Sequence, residues 1–315
     1  MIKTLVFGTT VLIGAGAVWA GTTKHRRIQF LRQLVYDGKR DIEPAKFKPA
    51  PSHWSDNRIT LSWLSHSTVL INFYGVWILT DPVFSERVGP SVGLATIGPK
   101  RFIYPALNIN ELPPIDVVLI SHAHYDHLDI PSLRVINNCK NFITAKFTVD
   151  VLSQADIKNS VELGWGEKIL VSTKSGDIEV IAIAVNHWGR RWPDKAYRGY
   201  NGYILRREGK SILFAGDTAF TSLFLTYRQY GKFSIAIMPI GAYNPWIRNH
   251  CTPEEAISMA NAAGAQYIVP VHHKTFKLSD EPLDEPIHRF QKALEKEPER
   301  IALKDVGETF IIPVV

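Results

Sequence analysis

The chain has 315 residues, 45% of them hydrophobic and 21% charged, with a formal net charge of +6. This supplies enough apolar side chain for one large core, and the absence of a long basic run interleaved with aromatics argues against a nucleic-acid partner. Two cysteines, Cys139 and Cys251, rule out a disulfide framework and stand in no ligand-like cluster, so they read as small buried hydrophobes.

Residues 4–23 carry no charge and include Leu5, Val6, Phe7, Val11, Leu12, Ile13, Val18 and Trp19. A helix of that length can just span a hydrocarbon core. Lys3 precedes it, and Lys24, His25, Arg26, Arg27 and Arg32 follow. The heavier positive flank favours a retained membrane anchor that keeps the following domain cytoplasmic, with the basic stretch resting on anionic lipid heads. Val18-Trp19-Ala20 also places small residues where a signal peptidase cuts, so export to the periplasm after cleavage is the competing expectation. Residues 1–23 therefore stand apart from the fold. Residues 24–57 read as a basic, then proline-containing connector (Pro44, Pro49, Pro51) that wraps onto one domain spanning 58–315.

Arg58–Leu64, Val69–Phe73 and Val76–Thr80 predict a meander, with Tyr74-Gly75 at a hairpin turn. Val117–Ile120, entered from Pro113-Pro114-Ile115-Asp116, predicts a buried strand, and Pro131 opens a helix beyond it. Strand patterns recur at Phe142–Ala145, Lys168–Val171 and Ile178–Val185. Gly202–Arg207 and Ser211–Ala215 are joined by Glu208-Gly209-Lys210, a second hairpin signal. Ile235–Pro239 and Gln266–Pro270 complete the series. Between them lies a helix with Thr252 as N-cap, Pro253 at its start, and an apolar face of Ala256, Ile257, Met259, Ala260 and Ala263. Strands outnumber helices, which predicts an α/β fold of two packed sheets with helical outer layers.

The chemistry is concentrated directly after Val117–Ile120, in Ser121-His122-Ala123-His124-Tyr125-Asp126-His127-Leu128-Asp129. Along an extended chain His122 and His124 point the same way, while Asp126 and His127 follow in a turn. One strand end thus offers two imidazoles to one metal and a carboxylate–imidazole pair to a second. A solvated loop has little structural use for so many metal-preferring side chains. Three further candidates also follow apolar runs: His187, Asp217 and His272. Alone, each would read as a turn or loop residue. Together they predict a binuclear site in which His122, His124 and His187 hold one zinc and Asp126, His127 and His272 the other, with Asp217 and a hydroxide between. His272 and His273 are adjacent and diverge, so only one reaches a metal. His25, His53 and His288 show no partner and read as surface residues.

The run H-x-H-x-D-H with later His, Asp and His resembles the metallo-β-lactamase superfamily, and within it the N-acylphosphatidylethanolamine-hydrolysing phospholipase D group. The likeness covers most of residues 58–278. It includes Trp63-Leu64-Ser65-His66-Ser67-Thr68, Thr80-Asp81-Pro82-Val83-Phe84-Ser85 and Gly98-Pro99-Lys100-Arg101-Phe102. It continues through Phe214-Ala215-Gly216-Asp217-Thr218, Pro239-Ile240-Gly241-Ala242-Tyr243, and His250 before Thr252-Pro253-Glu254-Glu255. The resemblance implies a four-layered αββα sandwich behind an N-terminal apolar segment, two zinc ions, a final metal position at His272, a homodimer, and His250 facing the substrate. Ser65 stands where a Gly is common, and His273-Lys274 replaces a Trp-Gly pair.

The implied activity is zinc-dependent phosphodiester hydrolysis of phospholipase D type, on N-acylphosphatidylethanolamine or a related phospholipid at a membrane. Asp126 would orient a metal-bridging hydroxide, His250 would contact the phosphate or the departing oxygen, and His66 would steady a ligand. Trp188, Trp192 and Trp246 would line an acyl groove or simply pack. Two alternatives stand beside this: a lactonase or cyclic phosphodiesterase acting on a soluble metabolite, and a non-catalytic membrane scaffold that kept the fold.

Overall fold

The computed structural model describes residues 32–313 apart from 34 and 94, so the apolar stretch 4–23 lies outside the described residues. Among the described residues no helix is long and apolar enough to cross a membrane. The strands are β1 (Ile59–Ser65), β2 (Thr68–Phe73), β3 (Val76–Thr80), β4 (Ser91–Val92), β5 (Ala95–Thr96), β6 (Val117–Ile120), β7 (Asn141–Ala145) and β8 (Ser160–Leu163). They continue as β9 (Lys168–Thr173), β10 (Gly176–Ile183), β11 (Gly202–Arg207), β12 (Lys210–Phe214), β13 (Phe233–Pro239), β14 (Ala265–Val271) and β15 (Thr309–Ile311). Beyond residue 40, the α-helices among the described residues are α1 (Ile130–Val135), α2 (Val149–Ser153), α3 (Leu223–Thr226), α4 (Pro253–Ala263) and α5 (Glu285–Ala293).

Two mixed sheets form the sandwich. One runs β15-β1-β2-β3-β6-β7-β8 and the other β14-β13-β12-β11-β10-β9. The order follows from side chains alternating between the two faces of a strand. In β10, Ile178 and Val180 join a core shared by both sheets, whereas Ile181 and Ile183 join a second core beneath the helices. In β13, Ile235 and Ile237 face the first core, and Ala236 and Met238 the second. Strand stretches covered on both faces are apolar, which is why β13 and the second half of β10 read as continuous hydrophobic runs.

Both expected hairpins form as two-residue turns. Tyr74 and Gly75 have φ of 52° and 84°, and Glu208 and Gly209 have 50° and 69°. Positive φ at both central residues gives the turn whose twist suits a hairpin. The helix α4 begins with a reciprocal capping box between Thr252 and Glu255 and ends at Gly264 in the left-handed region. Its buried Ala256, Met259 and Ala260 pack in the second core, and α5 closes over it through the Arg289–Glu254 ion pair at 2.7 Å.

The strands β8, β15 and the β4–β5 hairpin, and the helices α2, α3 and α5, go beyond the elements predicted from sequence. In the connector, Asp37 is buried and accepts from the Lys100 backbone N–H at 2.9 Å, and Glu43 bridges to Ile103. Both cysteines are free and buried.

Candidate metal centre

Four strand ends and one tight turn deliver the candidate residues to the same place. His122, His124, Asp126 and His127 follow β6, His187 follows β10, Asp217 follows β12 and His272 follows β14. His66 sits in the turn between β1 and β2 with φ of 41°. The turn before Asp217 needs glycine. Gly216 has φ of 61°, and a Cβ there would lie 2.7 Å from the Ser121 Cβ, so the two ligand-bearing loops touch. Gly241 serves the His272 loop in the same way, since a Cβ would meet the His272 carbonyl oxygen at 2.2 Å.

The ligand atoms form two clusters, one of His122, His124, His187 and Asp217, the other of His66, Asp126, His127 and His272. In the first, His122 Nε2 lies 2.8 Å from His124 Nδ1, which lies 3.3 Å from His187 Nε2. Asp217 Oδ2 stands 3.9 Å from His122 Nε2 and 3.7 Å from His187 Nε2. The same oxygen is 3.2 Å from both His127 Nε2 and His272 Nε2, so Asp217 belongs to both clusters. Asp126 Oδ2 lies 3.4 Å from His272 Nε2, 3.6 Å from His127 Nε2 and 3.1 Å from His66 Nε2.

These groups fit metal ions. Ligand atoms around a tetrahedral zinc with bonds of about 2.0–2.2 Å stand roughly 3.3 Å apart, and the separations above bracket that value. Buried side-chain atoms with no assigned hydrogen bond include His127 Nε2 and His272 Nε2, which face the second cluster, and Asp217 Oδ1. Buried polar atoms are normally satisfied, so a converging set of unsatisfied ones suits a cation.

The outer partners set the tautomers. His187 Nδ1 donates to the Asn249 carbonyl at 2.8 Å, leaving Nε2 to face the cluster. His127 Nδ1 donates to Asp81 Oδ2 at 2.7 Å. The Ser121 hydroxyl donates to Asp81 at 2.6 Å, so it accepts from His122 Nδ1 at 2.9 Å. Such outer hydrogen bonds hold imidazoles with a lone pair aimed inward.

Electrostatics separate the clusters. Burial, reinforced by repulsion from His127 and His124, holds His122 well below the usual imidazole range. Burial, then His187, lowers His124 to about 3. His127 is also buried, but the carboxylates of Asp217, Asp126 and Asp81 overcome that cost and raise it well above the usual value. Burial likewise opposes the charge on His272, and Asp217 and Asp126 lift it to about 9. Against the cost of burial, the neighbouring histidines hold Asp126 and Asp217 well below the ordinary carboxylate range.

All eight histidine and aspartate candidates outside His250 therefore meet. His250 joins them at the rim, its unpartnered Nδ1 lying 3.8 Å from Asp217 Oδ2. His273 turns away and stacks on Trp63 at 4.5 Å, which resolves the choice between the adjacent pair. His53 and His288 are exposed, and His25 lies outside the described residues. The Ser65 hydroxyl accepts from the buried Arg101 at 2.8 Å, and Lys274 pairs with Asp305 at 2.8 Å. Trp188 packs its ring 4.3 Å from His124, and Trp192 and Trp246 are partly exposed nearby in sequence to His187 and His250.

Three contributors escaped the reading of ligands from sequence: Asp81, the Asn249 carbonyl and Arg191. Asp81 had a signal, since it follows β3 as Asp217 follows β12. Arg191 is buried and donates to the carbonyls of Ala123 and Leu128 at 2.8 and 3.0 Å, clamping the motif loop. Nothing local in the sequence marks it or Asn249 for these roles.

A family model for the beta-lactamase superfamily domain matches residues 76–273. An uncharacterized protein of Mycobacterium tuberculosis is 32% identical over 264 residues, covering 80% of this chain and 68% of the relative. N-acyl-phosphatidylethanolamine-hydrolyzing phospholipase D 1 of Caenorhabditis elegans is 31% identical over 238 residues, covering 71% of this chain and 66% of the relative. Among solved structures, a metallo hydrolase from Ignicoccus hospitalis aligns with a TM-score of 0.63 at 19% identity, covering 82% of this chain and 99% of that one.

Proposed function

Because the chain belongs to the metallo-β-lactamase superfamily, whose members of this type are metal-dependent hydrolases, we propose that it hydrolyses the phosphodiester of an N-acylated ethanolamine phospholipid or a related lipid. The single observation that carries this reading is Asp217 Oδ2 standing within hydrogen-bonding reach of both His127 and His272 while also closing the His122–His124–His187 cluster. That arrangement suits two zinc ions side by side, and the similarity to a lipid phosphodiesterase supplies the substrate class.

When bound, the two cations would polarise a phosphoryl oxygen and lower the pKa of a water held between them. The chain's own residues do the rest. Asp126 and Asp217 accept hydrogen bonds from a water entering between the clusters and fix its direction. His66 Nε2, 3.1 Å from Asp126 Oδ2, holds that carboxylate in place. His250 is kept neutral by burial, so it offers a ring N–H to a phosphoryl or departing oxygen rather than acting as a charged acid. Trp188 shields the first cluster from bulk water on the His124 side. The apolar stretch 4–23 and its basic flank would hold this site against the cytoplasmic face of a membrane.

The test is metal analysis of the purified full chain combined with mass spectrometry of products from a lipid extract. Two zinc equivalents, chelator-sensitive release of an N-acylethanolamine and formation of phosphatidic acid are expected. Turnover of soluble esters or lactones alone would move the activity to another branch, and a fully loaded protein inert on every substrate would leave a scaffold.

A further inference from the structure

After Trp63, Arg101 is the largest side chain wholly buried among the described residues. Its guanidinium donates to neutral oxygens. Nε meets the Ser85 carbonyl at 2.8 Å and Nη2 the Val83 carbonyl at 3.0 Å. Nη1 meets the Ser65 hydroxyl at 2.8 Å and the Ile103 carbonyl at 3.4 Å. Burial lowers its pKa to about 10, and Asp129 and Glu86 act in the other direction. A buried cation is costly, and an apolar side chain of the same volume would avoid that cost. What the guanidinium adds is a rigid fork that reaches several acceptors at once.

The segments joined by this fork lead to the second metal cluster. Ser65 precedes His66, whose Nε2 meets Asp126. Val83 and Ser85 belong to the loop that opens with Asp81, whose carboxylate accepts from His127. Both of these outer partners sit in the left-handed region, with φ of 41° at His66 and 34° at Asp81. A residue with a side chain keeps such a conformation only where its surroundings fix it. The neighbours of Arg101 add to the bracing of His66. The Phe102 N–H donates to the Thr275 carbonyl at 2.8 Å, and the Thr275 hydroxyl accepts from the His66 N–H at 3.0 Å. The Phe276 ring lies 5.2 Å from the Arg101 guanidinium and makes a T-shaped contact with His66 at 5.2 Å. On the far side of the centre it is the Asn249 carbonyl that holds His187.

The geometry points to Arg101 as a positioning residue for the second metal cluster: one fork fixes Ser65 and the 83–85 carbonyls together, and so sets His66 behind Asp126 and Asp81 behind His127. The assignment rests on the reading of two bound cations and makes no use of the substrate.

The experiment replaces Arg101 with Met, which is apolar and removes the fork, and with Lys, which keeps the charge but is a point donor. Competition with a calibrated chelator reads the zinc affinity of each cluster in the full chain. Arg101→Met should weaken the second zinc by about 10- to 100-fold and leave the first within about twofold, with Arg101→Lys close to it. Imidazole NMR of the chelated chain supplies a readout that needs no metal. In both variants the His127 Nδ1–H, bonded to Asp81, should lose its protection from exchange with water, while the His187 Nδ1–H, bonded to Asn249, keeps it. Should Arg101→Met fail to fold, Ser65→Ala removes a single acceptor and should still weaken the second zinc alone, by about tenfold. Equal weakening of both zinc ions, full rescue by lysine, or unchanged protection of His127 overturns the assignment. A wild-type chain that binds fewer than two zinc ions sinks the two-cation reading, and the NMR comparison then decides the role of Arg101 without it.

Discussion

The two ligand clusters share Asp217, yet they store charge in opposite ways. Around His122, His124 and His187, burial and mutual repulsion keep the imidazoles uncharged, with one carboxylate among three rings. Around His127 and His272, three carboxylates stand close enough to hold protons on the rings despite burial. Without metal, the first cluster offers lone pairs and the second is filled by protons that a cation must displace. Unequal occupancy on partial loading follows, with the first cluster filling at lower zinc concentration near neutral pH.

The largest test of this contrast removes the shared residue. Asp217→Ala takes the one oxygen that touches both clusters, so loss of both metals and a fall in turnover of about a thousandfold or more are expected. His124→Asn should instead leave one metal in the second cluster. Mass spectrometry of the native proteins reads the stoichiometry directly. An Asp217→Ala protein that keeps two metals would break the picture of a common ligand.

Acid and alkali should attack the chelated protein through different clusters. His124 is lowered to about 3 in the folded state, so its contribution is lost as pH falls below the unfolded value, by about 2 kcal/mol at pH 5. His272 is raised to about 9, so its stabilisation is complete below about pH 6.5 and disappears as pH rises through about 9. Urea unfolding across pH should therefore show two limbs. His124→Asn makes the acid limb shallower, because His122, His187 and His66 are lowered with it, and His272→Asn flattens the alkaline one; a reversal of those assignments would refute the charge arrangement.

How much of this was visible beforehand depends on whether the cause is local. Ligands adjacent in sequence or sitting at the ends of long apolar strands could be read, because strand periodicity and residue chemistry both act within a few positions. The sandwich followed for the same reason: β13, and β10 from Val180 onward, are apolar on both faces because each separates two cores. By contrast β8 is only four residues with three partly open positions, and β15 is three residues at a sheet edge, so neither carries enough pattern. Asp81, Asn249 and Arg191 act through contacts formed only after folding: 46 residues separate Asp81 from His127, and 62 separate His187 from Asn249. Their roles depend on topology rather than on neighbouring residues.

Asp81→Asn tests one such contact at smaller scale. The amide keeps the shape, but its NH2 cannot accept, so it cannot serve the Ser121 N–H, the Ser121 hydroxyl and His127 together as the two carboxylate oxygens do. Zinc affinity of the second cluster should fall by about 10- to 100-fold, with the first cluster affected less. Competition with a calibrated chelator measures it. Equal weakening of both clusters would show that Ser121 passes the change on to His122, to which it is also bonded.

His66 gives the smallest expected effect and the sharpest distinction. Its Nε2 lies within the second cluster, so it could be a ligand, but the same nitrogen stands 3.1 Å from Asp126 Oδ2 and its ring packs 4.2 Å from that of His272. Burial, with repulsion from His272 next, lowers it to about 3, so near neutral pH it is an uncharged donor to a charged carboxylate. If its work is to orient Asp126, His66→Gln retains two metals, keeps an N–H donor, and lowers kcat by about tenfold. His66→Phe then loses more activity at unchanged metal content, because Asp126 is left free to turn. Release of one zinc by both variants would place His66 among the ligands and leave Asp126 held by the histidines alone.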